Sequence, residues 1–90
     1  MHFELDPQKA AANFRKHGVS FEESTTALRD DLAVTGYVPD HSEDEDRFVT
    51  FGVSNEGRLL VVGHTEHREV VRIINARHAT RAERKIYEEG

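Results

Sequence analysis

Cysteine and tryptophan are absent from this 90-residue sequence, and methionine occurs once. Without cysteine there is no disulfide and no thiolate metal site. The chain must fold on packing and hydrogen bonds alone, and it fits a reducing, cytoplasmic setting. Long apolar runs are also missing. The longest, LLVV at 59–62, has the length of a strand, whereas a membrane span takes about 20 apolar residues. The N-terminal segment MHFELDP is neither basic nor followed by an apolar run, which is not the pattern of a signal peptide. Positive charge is scarce. Twelve Lys and Arg stand against 17 Asp and Glu, a net charge of −5, which argues against a general nucleic-acid binder. What is there, 37% hydrophobic and 32% charged residues, is the composition of a folded protein. Ninety residues make one domain, 1–90, with one modest core and no second catalytic lobe.

The positive charges are unevenly placed. Residues 1–57 carry five Lys/Arg and twelve Asp/Glu, a balance of −7, while residues 58–90 carry seven and five, a balance of +2. Arg72, Arg77, Arg81, Arg84 and Lys85 all fall within RIINARHATRAERKIYEE, 72–89. Such an asymmetry marks either an anion-binding surface or a solvated helix face.

The local patterns predict the elements in order. HFEL at 2–5 reads as a short strand. Asp6 is a helix N-cap and Pro7 fills the first helical position, where its missing N–H costs nothing. That helix runs to about His17, with Ala10, Phe14 and His17 on its inward spacing, and Gly18 closes it as a left-handed C-cap. Ser20 and Glu23 have the spacing of a capping box, with Val19 placed as a hydrophobic staple and Phe21, Ala27 and Leu28 facing inward. Alternation from Leu32 to Val38 predicts an edge strand stopped by Pro39, and DHSEDED at 40–46 a polar loop. Strands follow at 47–53, at 58–65 (apolar on both faces, hence central) and at 70–76. Thr80 and Glu83 form a second capping box, opening a last helix to about Glu88. The order β-α-α-β-β-β-β-α, with three short links between consecutive strands, predicts an α+β fold: a small antiparallel sheet, two N-terminal helices on one face, and a C-terminal helix.

At the level of motifs, KHGVSFEE at 16–23, after Asp6, Pro7, Lys9 and Asn13, resembles the opening of the BrnT toxin family. So do Arg47-Phe48 ahead of Gly52, GRLLVV at 57–62, RIINAR at 72–77 and ERKIYE at 83–88. The blocks cover nearly the whole chain, in order. The resemblance implies a RelE-like ribonuclease fold and a type II toxin that inhibits translation by cutting RNA. It implies a ribbon-helix-helix antitoxin, BrnA-like, as partner, with DNA reached only through their complex.

RNA carries its own nucleophile, the 2′-hydroxyl. A protein that cuts it must orient the backbone, move two protons and stabilise phosphoryl charge, and no metal cofactor is required. Arginine suits phosphate because its planar fork donates two parallel hydrogen bonds and stays charged. Arg77, where the last strand ends, is the first candidate, with Arg72 on the same strand and Arg47 at the start of another. Each reads equally as the partner of a carboxylate. Lys16 and His17 are the candidates for proton transfer, though both also suit a helix C-terminus. On the last helix, Arg81 is a candidate RNA contact. Tyr87 either stacks on a base or packs the helix onto the sheet. His64 and His67 have ligand spacing, but no cysteine supports them, and no metal site is expected. The rival expectation is a non-catalytic interaction module that keeps the fold and the antitoxin-binding surface.

Overall fold

A computed structural model describes residues 2–39 and 46–90. The elements come in the expected order: β1 His2–Glu4, α1 Pro7–His17, α2 Phe21–Leu28, β2 Val34–Tyr37, β3 Asp46–Val53, β4 Leu59–His67, β5 Val70–His78 and α3 Arg81–Glu89. Of the acidic stretch expected as a loop at 40–46, Asp46 instead opens β3, and 40–45 lie outside the described residues.

The helix ends follow from their caps. The Asp6 carboxylate accepts from the backbone N–H groups of Gln8 and Lys9, and Gly18 closes α1 at φ +70° with its N–H donated to the Phe14 carbonyl. At α3 both halves of the capping box form between Thr80 and Glu83. At α2 only one half forms. Ser20 Oγ accepts from Glu23 N at 3.0 Å, but the Glu23 carboxylate turns inward to Arg58 and to Ser54 Oγ. The hydrogen bond from Arg58 holds Glu23 below the usual carboxylate pKa, against the opposing effect of burial. Pairing inside the fold outcompetes a local cap that sequence spacing alone predicts.

The five strands order as β1-β5-β4-β3-β2. From β2 to β5 they form the expected antiparallel meander. β1 departs from it: His2, Phe3 and Glu4 lie parallel to Val70, Val71 and Arg72, so the sheet is mixed. No hairpin joins β1 to β5, because two helices and three strands intervene, and the turn rule that fixes direction elsewhere has no hold there. β2 is the opposite edge. It is shorter than its alternating pattern, and Leu32, ahead of it, is 72% exposed.

The core lies between the sheet and the two N-terminal helices. Val19, Phe21 and Ala27 pack against Leu60, Val62, Val71, Ile73 and Ala76. β4 is buried from Leu59 to Thr65, as its two-sided apolar pattern requires. α2 rests directly on β3, since a Cβ at Gly52 would run into the backbone of Ala27. On the other face α3 meets β3 without burying any of its own residues.

One inward position on α1 differs from its spacing. Phe14 is 57% exposed, and the buried residue is its neighbour Asn13. β1 pairs with β5 only as far as Arg72, which leaves the edge of β5 open beyond it. The Asn13 amide fills that edge. Its Nδ2 donates to the carbonyls of Ala76 at 2.8 Å and Val19 at 2.9 Å, and its Oδ1 accepts from Ala76 N at 3.0 Å. One side chain thus replaces the backbone of a missing strand.

Candidate active site

β5 carries an irregularity that arranges the site. Gly63 pairs with Asn75 and His64 with Ile73, so Ile74 is left as an extra residue. A bulge of this kind shifts the alternation by one. By sequence alone Arg72 and Ile74 share a face. In the structure Arg72, Asn75 and Arg77 lie opposite Thr65, Gly63 and Val61, alternate residues of β4, and so share the face away from the core.

Where α1 runs beside β5, Lys9, Ala12, Asn13, Lys16 and His17 face Ile74 to Arg77 across an open cleft of about 570 Å³. The fold therefore brings together three of the expected residues, Lys16, His17 and Arg77. It adds Lys9, two helical turns from Lys16 and so on the same side of α1. The Asn13 clamp fixes α1 at this distance from the strand.

Arg77 combines both of its expected roles. It walls the cleft, and it also donates from Nη1 and Nη2 to the Glu83 carboxylate, at 2.8 Å each, with a third bond to the His78 carbonyl at 3.2 Å. The arginine hydrogen bonds pull the Glu83 carboxyl down to about 2, helped by the Thr80 backbone. The Arg77 side chain is still 41% exposed. A guanidinium has five N–H groups, so Nε–H remains free to meet an anion.

The other candidates are spread along the same surface. Arg72 contacts Glu4 at 3.3 Å and lines an adjoining depression with Leu5 to Lys9. Arg47 lines a smaller cleft of about 260 Å³ with Val38, Phe48, Val49, Gly63 and His64. Lys9 belongs to the first two hollows, and Ile74 and Asn75 belong to the central cleft and the Arg47 cleft. Arg81 is exposed on α3 and Tyr87 is half-buried there; neither lines the central cleft. The Tyr87 hydroxyl donates to Asp30 Oδ2 at 2.5 Å, which ties α3 to the segment after α2.

The two histidines of the 64–67 spacing part company. His67 is exposed. His64 is buried with Nε2 2.7 Å from Thr50 Oγ1 and its ring stacked on Phe48, and burial pushes its pKa down to about 4. No group of three or more His, Asp or Glu that could hold a metal comes together among the described residues.

Fold and cleft together define a small α+β protein with a cationic, histidine-bearing groove at a sheet edge. The model of the ribonuclease toxin BrnT of type II toxin–antitoxin systems matches residues 5–83, and the chain belongs to that family. The crystal structure of the Brucella abortus ribonuclease toxin BrnT has the same fold, with a TM-score of 0.64 and 23% sequence identity over 90% of this chain and 99% of that one. No curated protein matches the sequence. A type II toxin has a cognate antitoxin as its partner. Among the described residues no helix is long and apolar enough to cross a membrane.

Proposed function

We propose that the cleft between α1 and β5 cuts RNA without a metal ion, and that the toxin inhibits translation by this cleavage. A ribbon-helix-helix antitoxin of the BrnA kind would neutralise it. The observation that carries the proposal is the convergence of Lys9, Lys16 and His17 with Arg77 on one open cleft. RNA needs little else. The O2′–P bond forms as the P–O5′ bond breaks. His17 takes the proton from the 2′-hydroxyl, and Lys16 supplies one to the departing oxygen. Arg77 holds a non-bridging oxygen through its free Nε–H, where developing charge is greatest. Arg72 and Arg47, in the flanking hollows, hold neighbouring phosphates, and Arg81 meets the strand further out.

The test is cleavage of a labelled RNA by purified protein in EDTA. Wild type is expected to cut. His17→Ala and Arg77→Ala should each slow cutting by ~10²-fold or more, the usual effect of losing a proton-transfer group or a charge-stabilising donor. If both variants cut like wild type, the chemistry does not sit in this cleft.

A second function, a binding module that does not cut, is favoured by the pairing of Arg77 with Glu83 and by the net charge of −5. Expression without antitoxin separates the two. The enzyme arrests growth and Arg77→Ala relieves the arrest, while the binding module leaves growth intact.

A further inference from the structure

We infer that the smaller cleft beside Arg47 is a pocket for a single nucleobase, read by the side-chain amide of Asn75. The inference rests on the RNA-cutting function proposed above and gives its substrate a sequence preference. Three observations lead to it.

The cleft opens off the catalytic one, with Ile74 and Asn75 forming the shared wall. A nucleotide whose phosphate lies by Arg77 can place a neighbouring base there. Its volume, about 260 Å³, is below the ~300 Å³ at which pockets for drug-sized ligands begin, which suits one flat heterocycle. Its lining is half polar and half apolar, with Val38, Val49 and Ile74 beside the Asn75 amide, Arg47 and His64. Placed polar groups fix orientation and specificity, and a planar amide offers a donor and an acceptor to a base edge.

Gly63 makes the arrangement possible. It pairs across the strands with Asn75 and shares its face. A Cβ at Gly63 would lie 2.7 Å from Asn75 Oδ1 and 3.3 Å from its Cγ. The bare backbone at Gly63 leaves the space that the Asn75 amide occupies. The φ of Gly63 is not in the left-handed region, since its close neighbour and not its backbone angle demands glycine. The Ile74 bulge completes the arrangement, because without it Asn75 would face the core.

The test uses two arms. In the first, cleavage sites are mapped on a random-sequence RNA pool. Wild type should show a base preference at a fixed position beside the cut. Asn75→Ala removes the amide at an exposed position, and Gly63→Ala displaces it while leaving the residue in place. Each should reduce that preference about ten-fold, within the range of one amide–base contact. Cutting without base preference by wild type, or preference retained in both variants, overturns the pocket and leaves the cleavage proposal standing. In the second arm, the four 2′-O-methyl dinucleotides, which cannot be cut, are titrated while NMR follows the Asn75 side-chain amide, the Gly63 amide and the Val49 methyls. Shifts that differ among the bases and vanish in Asn75→Ala support the pocket even if the protein proves unable to cut. Equal or absent shifts overturn it.

Discussion

Asn13 shows how much one polar residue can organise. Its amide satisfies both backbone groups of Ala76 and the carbonyl of Val19 inside the protein. Asn13→Ala leaves those groups buried and unpaired. It should cost ~2–4 kcal/mol in urea unfolding, more than the loss of an ordinary exposed hydrogen bond, and α1 should no longer be held against β5. His64 makes a different prediction. Its pKa falls from 6.5 to about 4 on folding, so between those values the unfolded chain binds a proton that the folded chain refuses. Stability therefore declines as pH drops from 6.5 toward 4, by up to ~3 kcal/mol from this residue. Unfolding midpoints measured at pH 7 and pH 4 should differ less in His64→Gln than in wild type. Thr50 can keep its hydrogen bond in that variant, so the change isolates titration from packing.

Elements meet in this fold with little tolerance at some joints and stored strain at others. The link between β4 and β5 is Arg68-Glu69, with φ of +51° and +68°. This is left-handed backbone that side-chain-bearing residues adopt at ~1 kcal/mol or more each. Glu69→Gly should therefore stabilise the protein by ~0.5–1 kcal/mol, visible as a rise of several degrees in melting temperature. A decrease would mean that the Glu69 side chain makes a contact worth more than the strain. The joint between α2 and β3 is the reverse case. Gly52→Ala places a methyl group against the Ala27 backbone, which no side-chain rotation can relieve. Overpacking at so rigid a point should cost ~3 kcal/mol or more in denaturant unfolding. At α3, Glu83 serves both the capping box and the ion pair with Arg77. α3 is thus tied to the proposed phosphate clamp through a single carboxylate.

For the whole molecule, net charge is a poor guide to function. The chain is acidic in total, yet Lys9, Lys16 and Arg77 meet on one cleft, flanked by Arg72 and Arg47. Exposed charges more than ~10 Å away are largely screened at ordinary salt, so local charge, not the sum, governs contact with a polyanion. RNA affinity should therefore fall with salt. Three phosphate contacts on single-stranded RNA give a slope of about −2 in the logarithm of the binding constant against that of salt concentration. A fluorescence-anisotropy series from 50 to 300 mM salt would measure it. A slope near zero would place RNA away from this surface.

Element order was legible because it depends on neighbours in sequence. Asp6-Pro7, Gly18, Thr80 with Glu83, and the alternating strands each announce a local conformation, and the short links between consecutive strands determine an antiparallel meander. The presence of Lys16, His17 and Arg77 as chemically apt residues was also there to be read. What the sequence by itself did not determine was anything decided by partners far along the chain. β1 runs parallel because its neighbour is β5. Glu23 abandons its cap for Arg58, 35 residues away. Asn13 displaces Phe14 from the inward face because a strand edge needed two hydrogen bonds more than the core needed a ring. The bulge at Ile74, invisible in RIINAR, decides which side Asn75 and Arg77 take. Periodicity and capping are local properties of a chain. Register, edge-filling and the choice among competing polar partners are settled by burial, where an unpaired group is costly, and burial exists only once the whole chain has folded.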